Sequence, residues 1–519
     1  MTAPVVVTSS AQAAAADAAA IAAGTPSRAL MQRAGAAAAA EITTRFADEC
    51  AHGVVVVTGA GNNGGDGWVI ARALHAVGIP VRVVEAVAAR TPDAVAERTL
   101  ASGDGVPFDT DLDTLITAPE RLFVDAILGT GLTSDEPLRG NVAKAVGTLM
   151  SLQKRGASIV AVDIPSGVDA THGVSVAALK CALTITFGTL KQGLAVARDL
   201  TGQIALIDIG LGRHAERAST SRLATAAWFR ETLPPIAADA HKGTRKKVAI
   251  IGGASGMAGA VILAARAALK SGAGMVKCAV APESLLALQE AEPAALSAAW
   301  PIDDASFDEH IATWADAILI GPGLGREHAR AIVERALRIF NGPVVLDADA
   351  LNAFAGDIDA LAKLIGDREA LLTPHPAEFA RLVRRDVDEV LYERFEAPLA
   401  LASQLSASVL FKGVPTIVAS PTAEMMIVAE GTPILATGGA GDLLGGIAVT
   451  LLAQTGSAQT AGALAAFAHG RAASSVSARQ VRGFTLDDVL AALPDVPSLA
   501  APRARAPILV ELPAVGETT

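Results

Sequence analysis

The chain has 519 residues, 51% of them hydrophobic and 18% charged, more than one core usually spans, so two or three domains are expected. With 42 basic against 53 acidic residues the net charge is −11, which argues against nucleic acid as a bulk partner. Nucleotides stay open, because they need only local donors.

Residues 10–47 read as alanine-rich helix, broken and recapped at Gly24-Thr25-Pro26-Ser27. Four valines at 54–57 then predict a buried parallel strand, followed by a helix over 68–77. The segments 81–86, 121–131 and 158–169 read as further strands, with helices over 92–100 and 142–152 between them. Strands over 181–188 and 203–210 close the series. This β–α alternation predicts a mainly parallel, doubly wound sheet, whose ligands gather at the carboxyl ends of strands. Asn62, Asn63, Asp66, Asp125, Asp163 and Ser166 all fall at such ends. Periodicity stops over roughly 211–240, where Pro234-Pro235 marks a boundary. A second αβ series begins with a strand over 246–251, a small-residue turn and a helix over 260–270. It continues through 315–325, 342–352, 370–379 and 408–418 to 431–453. The expected division is a first domain over 1–215, a linker over 216–239, a second domain over 240–500 and a poorly ordered tail over 501–519.

Cys50, Cys181 and Cys278 lie far apart in apolar settings and read as buried free thiols of a reducing cytosol. The start lacks a basic region, Asp17 interrupts the alanine run, and no apolar run reaches membrane-spanning length. A soluble, cytoplasmic protein without membrane contact is expected.

The most informative stretch is VVVVTGAGNNGGDG at 54–67. Gly59, Gly61 and Gly64 spell G-x-G-x-x-G after a strand and before a helix, and Glu85 sits where a dinucleotide fold places its ribose-binding acid. A pure phosphate turn has no use for Asn62, Asn63 and Asp66, since a carboxylate repels phosphate. Such oxygens suit a hard cation or a substrate hydroxyl, so an ordinary dinucleotide turn and a specialised site both stand at this point.

In the second half, Gly438-Gly439-Ala440-Gly441-Asp442 precedes an apolar helix. Glycines let backbone approach phosphate oxygens, and Asp442 beside them could draw the proton from an acceptor hydroxyl. Otherwise Asp442 is a helix cap. His375, between Pro374 and Pro376, is a substrate contact or a structural residue. His241-Lys242-Gly243 is a ligand contact or a solvated turn, and Asp347 and Asp349 are caps or line the cleft. Zinc spacing, a nucleophile elbow and a Walker loop are all absent from the sequence.

Together these motifs resemble the bifunctional NAD(P)H-hydrate repair enzymes, a YjeF-type epimerase fused to an ADP-dependent dehydratase. The first half carries LMQRAG (30–35), GAGNNGGDG (59–67), VDAILGTGL (124–132) and DIPSGVD (163–169). The second carries HKG, IIGGASGMAGA, GPGLG, LDADALN, TPHPAEF, FKG and GGAGD in order over about 240–495. The resemblance implies an α/β chain of two doubly wound domains, the first Rossmann-like and the second ribokinase-like. It implies substrates NADHX and NADPHX, whose two epimers the first domain interconverts. The second domain would dehydrate the S epimer through its phosphorylated C6 hydroxyl, turning ADP into AMP and phosphate. The cofactors implied are potassium in the first domain and magnesium, and a homo-oligomer is expected.

By the same resemblance Asn63, Asp125 and Ser166 are potassium ligands, and Asp163 and Asp442 the catalytic groups. Substrate contacts fall on Asn62, Asn63, Gly64, Gly65, Asp66, Gly129, Thr130, Gly131, Leu132, Thr133, Ser134 and Asp135 in the first half. In the second they fall on Gly323, Thr373, Pro374, His375, Pro376, Ala377, Glu378, Phe379 and Asp442. Nucleotide contacts fall on Lys412, Gly413, Val414, Pro415 and Thr416, and on Thr432, Pro433, Ile434, Leu435, Ala436, Thr437, Gly438, Gly439, Ala440 and Gly441. Two departures from the family are Ala440, where relatives often have threonine, and Ala377, where glycine is common. A small-molecule kinase with a silent nucleotide-binding first domain is the alternative; it predicts a stable phosphorylated product.

Overall fold

The computed structural model describes residues 5–132, 137–175, 177–300, 304–479, 482–499 and 505–515. Two compact units divide at Ser221 and Arg222, and the C-terminal segment returns to the first unit. Residues 216–239, expected as a linker, instead hold the strand Ser221–Leu223 and the helix Ala226–Thr232.

In the first unit the strand Val54–Thr58 pairs in parallel with Val81–Glu85 on one side and Leu122–Ala126 on the other. Ser158–Val162, Leu183–Phe187 and Gln203–Ile207 extend the sheet in parallel beyond Leu122–Ala126. The valines explain the strand's central place. Val54 and Val56 enter one apolar core and Val55 and Val57 the other, so both faces of the strand are covered. The helix expected over 68–77 starts earlier and spans Asn62–Ala76, taking the polar insert into its first turns.

The tail expected to be poorly ordered forms the strand Ile508–Leu512, antiparallel to Gln203–Ile207 at the sheet's outer edge. Its alternating apolar residues bury Ile508 and Leu512, and Arg45 pairs with Glu511 while Arg505 pairs with Glu41. Short length and four charged residues among 501–519 hide this strand in the sequence.

In the second unit the parallel order runs Leu296–Ala299, Met275–Val280, Lys247–Ile251, Ala317–Ile320, Val344–Leu346, Ala370–Leu372 and Ser408–Phe411. Thr416–Ala419 and Met425–Val428 continue it antiparallel. The helices Ala258–Lys270, Ala440–Thr455 and Ala458–Ser477 pack into one alanine- and leucine-rich core. All three cysteines are free and buried. No helix among the described residues is long and apolar enough to cross a membrane.

A chain ending at residue 500 bares the edge of Gln203–Ile207 and loses two buried aliphatic side chains, each contributing about 1.5–3 kcal/mol. Its first unit should unfold at a lower temperature than that of the full chain and aggregate more readily. An unchanged melting transition would show that the returning strand contributes nothing.

Candidate active site

The strand order of the first sheet reverses between the parallel neighbours Val54–Thr58 and Leu122–Ala126, the place where the loops leaving them part to open a crevice. The glycines there serve close packing. A Cβ on Gly59 would lie 1.9 Å from the Ile127 carbonyl oxygen, and one on Gly64 would lie 2.0 Å from the oxygen of Gly59. Gly65 has the Met31 side chain at 2.6 Å from its would-be Cβ, so Gly64 and Gly65 seat the helix. Asn62, Asn63 and Asp66 turn to the crevice instead.

Asp125 is fully buried. One carboxylate oxygen accepts the Ser166 amide at 2.7 Å, and the other accepts the Ser166 hydroxyl at 2.7 Å and the Ile127 amide at 3.2 Å. Burial pushes its pKa up to about 6, with the Ser166 bonds opposing. The Ser166 hydroxyl oxygen also accepts the Leu128 amide at 3.0 Å. Asn63 donates its side-chain amide to the Leu128 carbonyl at 2.8 Å, and its buried Oδ1 has no partner among the described residues. An orphaned amide oxygen, a buried carboxylate and a hydroxyl form a hard-oxygen set fitted to a monovalent or divalent cation.

Beside this set lies a cavity of about 400 Å³ lined by Asn62, Asn63, Asp66, Gly129, Thr130 and Asp163, among others. Gly131 and Leu132 do not line it, and Thr133, Ser134 and Asp135 lie outside the described residues. Asp163 holds a positive φ of 65°, a costly conformation for a residue with a side chain. Its Oδ1 accepts the Lys191 ammonium at 2.6 Å and the Thr186 hydroxyl at 3.0 Å. Lys191 also donates to Thr186 Oγ1 at 3.0 Å and to the Phe187 carbonyl at 2.9 Å. Burial raises the pKa of Asp66 well above the usual carboxylate value, and Asp163 adds to it. Glu85, expected at a ribose, is buried and bound to Arg98 at 2.8 and 3.1 Å. Its role is structural.

In the second unit Asp347 follows the strand Val344–Leu346, and its Oδ1 accepts the Lys412 ammonium at 2.7 Å. A Cβ on Gly441 would stand 3.3 Å from Lys412 Nζ and 3.8 Å from Asp347 Oδ2, so the glycine turn closes on this ion pair. Asp442 lies in the first turn of Ala440–Thr455, and no side chain caps that helix, so the capping reading of Asp442 fails. Burial raises its pKa to about 7; Asp347 and Asp349 add to the shift and Lys412 opposes it. Burial opposes the charge on Lys412, but Asp347, Glu378 and Asp442 outweigh it and keep the pKa above the usual lysine value.

His375 caps the helix Pro376–Val383, accepting the amides of Ala377 at 3.1 Å and Glu378 at 3.4 Å on Nδ1. Glu378 answers by accepting the His375 amide at 2.9 Å. Pro374 accepts the Lys412 amide at 3.0 Å, which ties this loop to the ion pair. Phe379 stacks edge-on against Phe411 in the core at 5.1 Å and Thr373 is fully buried, so neither presents a side chain to a ligand. Pro376 and Ala377 begin the helix. Gly323 holds φ 54° with the Met257 oxygen 2.8 Å from its would-be Cβ. Gly413 precedes the turn in which Thr416 Oγ1 donates to its carbonyl at 3.1 Å; the Val414 carbonyl there accepts Arg394 at 2.8 Å, and Pro415 follows. The Thr432 hydroxyl is buried without a partner among the described residues, ahead of the turn Pro433–Leu435, where Ile434 is buried and its carbonyl accepts Thr437. Gly438 and Ala436 are exposed, and Gly439 takes φ 93° at the start of the helix. His241 only closes its own turn, accepting the Gly243 amide at 3.1 Å. Asp349 accepts the Gly325 amide at 3.0 Å, and Asn352 accepts Arg381 at 3.1 Å.

Sequence reasoning missed Asp17, Lys191 and His469. Lys191 is nearly buried, and a basic residue just past a strand gives no signal of that. Burial and then Lys412 drop the His469 pKa to about 4, and its Nε2 has no partner among the described residues.

Two αβ units, each gathering acidic groups at the carboxyl ends of its strands, define a two-site enzyme. Family models match in tandem, YjeF-related protein N-terminus over 27–193 and NAD(P)H-hydrate dehydratase over 248–495. The Bifunctional NAD(P)H-hydrate repair enzyme Nnr of Salinibacter ruber is 38% identical over 486 residues, covering 85% of this chain and 87% of that protein. The protein of the same name from Escherichia coli is 35% identical over 450 residues, covering 85% and 84%. A solved ADP/ATP-dependent NAD(P)H-hydrate dehydratase from Bacillus subtilis, co-crystallised with ATP and Mg2+, is 27% identical. It covers 52% of this chain and 96% of its own, with a TM-score of 0.46. The chain belongs to the family of bifunctional NAD(P)H-hydrate repair enzymes.

Proposed function

We propose that this chain returns hydrated NADH and NADPH to the working cofactors. The first unit interconverts the R and S epimers, and the second dehydrates the S epimer with ADP. The observation that carries the second step is Asp442, a carboxylate poised near pH 7 in the first turn of a helix behind a glycine-rich turn. A base needs such a pKa to exist as carboxylate at neutral pH and still accept a proton. Asp442 takes the proton of the C6 hydroxyl as its oxygen attacks the terminal phosphorus of ADP, and AMP leaves. The ring nitrogen then expels phosphate from C6, C5 gives up a proton, and the C5–C6 double bond returns. Hydroxide is a poor leaving group and phosphate a good one, which is why a kinase-like site suits a dehydration.

The glycine turn 438–441 and the start of its helix offer backbone donors to the phosphates. Lys412, paired with Asp347, stands beside that turn as the cation. Magnesium carried with the nucleotide neutralises phosphate charge. In the first unit Asn63, Asp125 and Ser166 would hold potassium, which the orphaned Asn63 Oδ1 supports, and Asp163 would act as an acid/base of the epimerisation.

Dehydration should follow the carboxylate form of Asp442. Its kcat/KM should rise about tenfold per pH unit below 7 and level off above it. Asp442→Asn should lower kcat by about 10²–10⁴-fold. Full activity in that variant, or a profile flat from pH 5 to 8, removes Asp442 as the base. For the cation, potassium chloride should speed epimerisation and raise the melting temperature of the first unit, and tetramethylammonium chloride at equal ionic strength should do neither. An equal response to both salts removes the site.

A further inference from the structure

The helix Ser10–Ala22 forms one wall of the first unit's cavity, through Ala13, Ala14, Asp17 and Ala18. It precedes the 27–193 segment that the family model matches. Asp17 is the only charged residue of this alanine-rich helix and makes no ion pair or hydrogen bond among the described residues. The helix itself is firmly placed. Ser9 and Gln12 close a capping box, the Ser10 amide donates to Thr171 Oγ1 at 3.0 Å, and Ala13, Ala16 and Ala20 are buried. A carboxylate with no partner, held on a fixed helix and opening into a cavity, has no structural task of its own.

Asp163 lines the same cavity from the strand ends. Lys191 and Thr186 occupy its Oδ1, while Oδ2 stands 3.7 Å from the would-be Cβ of Gly129, itself a wall residue. The cavity thus carries Asp17 and Asp163 on separate walls, one without an ion pair and one held by Lys191, with Asp66 as a third carboxyl group. A carbinolamine carbon can invert with groups of this kind, the hydroxyl leaving one face and water returning to the other.

We infer that Asp17 is a second catalytic residue of the epimerase, acting as the proton donor to the departing C6 hydroxyl while Asp163 serves the opposite face. This rests on the epimerase reading above. The C6–O bond breaks as the ring-nitrogen pair forms the N1=C6 bond, and the hydroxyl takes the Asp17 proton and leaves as water. Water then adds to the other face of C6, the N1=C6 electrons return to nitrogen, and Asp163 takes the surplus proton. Exchange with solvent returns one proton to Asp17, and in the reverse direction the two groups trade roles. The electrostatics agree. The walls around Asp17 raise its pKa above the usual carboxylate value and Asp163 reinforces this, with Lys191 opposing. Asp66, raised further by its own burial, and Lys191 are the remaining charged groups that line the cavity.

The test uses the full chain with potassium and without ADP, starting from chromatographically isolated R-NADHX and following the appearance of the S epimer. Asp17→Asn should lower kcat by about 10²-fold or more, with KM within about threefold, and Asp17→Glu should recover part of the loss. Dehydration of the S epimer with ADP, by the same preparation, should stay unchanged and so report an intact fold. In heavy-oxygen water the wild-type product should gain one labelled oxygen at C6. An Asp17→Asn variant with kcat within threefold of wild type overturns the assignment, as does a loss confined to KM. Unlabelled product overturns the water-loss step. A wild-type chain that does not exceed the spontaneous rate overturns the epimerase reading itself, a result distinct from failure of Asp17 alone.

Discussion

Lys412 answers only part of the negative charge around it, and the chemistry of the second unit depends on that imbalance. Asp347 takes the ammonium at 2.7 Å, and Asp442, its pKa raised first by burial, meets repulsion from Asp347 and Asp349 that Lys412 only partly opposes. Two carboxylates sharing one cation in a poorly solvated site cannot both be strongly acidic. The result is a division of labour: one carboxylate anchors the lysine, and the other titrates near neutrality. Gly441 permits it, because a side chain there would press on the ammonium from 3.3 Å.

The first unit solves a related problem with packing. Gly59 and Gly64 let the helix Asn62–Ala76 start directly over the strand end, and so bring Asn63 to Asp125 and Ser166 at the reversal of strand order. Lys191 completes the neighbouring cavity by fixing one oxygen of Asp163. In both units an acidic group at a strand end is held by a lysine while another is left free. The free ones, Asp17 and Asp442, have surroundings that raise their affinity for protons and no ion pair or hydrogen bond to the side chain among the described residues.

Much of this was readable from residue order. Valine strands, glycine turns and carboxylates at strand ends located both sites, because hydrophobic period and turn chemistry are local properties. Glu85 misled, since a buried acid paired to Arg98 and a ribose-binding acid occupy the same place in a β–α unit. Asp17 stayed hidden because the groups it faces, Asp163 and Lys191, lie more than a hundred residues on, and Lys191 because its partner Asp163 belongs to another strand end, 28 residues back. His375 was legible as a polar group on a stiff loop, but not that its Nδ1 caps the helix Pro376–Val383, because capping depends on where the helix starts. The returning strand Ile508–Leu512 could not be found locally, as its partner is Gln203–Ile207, some three hundred residues away.

The most direct measurement supplies the full chain with both NADHX epimers, magnesium and potassium, and follows the near-ultraviolet absorbance of NADH with ADP, with ATP or with neither. Complete recovery with ADP, beyond the S fraction and faster than spontaneous epimerisation, is the expected result. Recovery that stops at the S fraction contradicts the role given to the first unit. A stable phosphorylated product with no recovered NADH contradicts the dehydration and makes the second unit a small-molecule kinase.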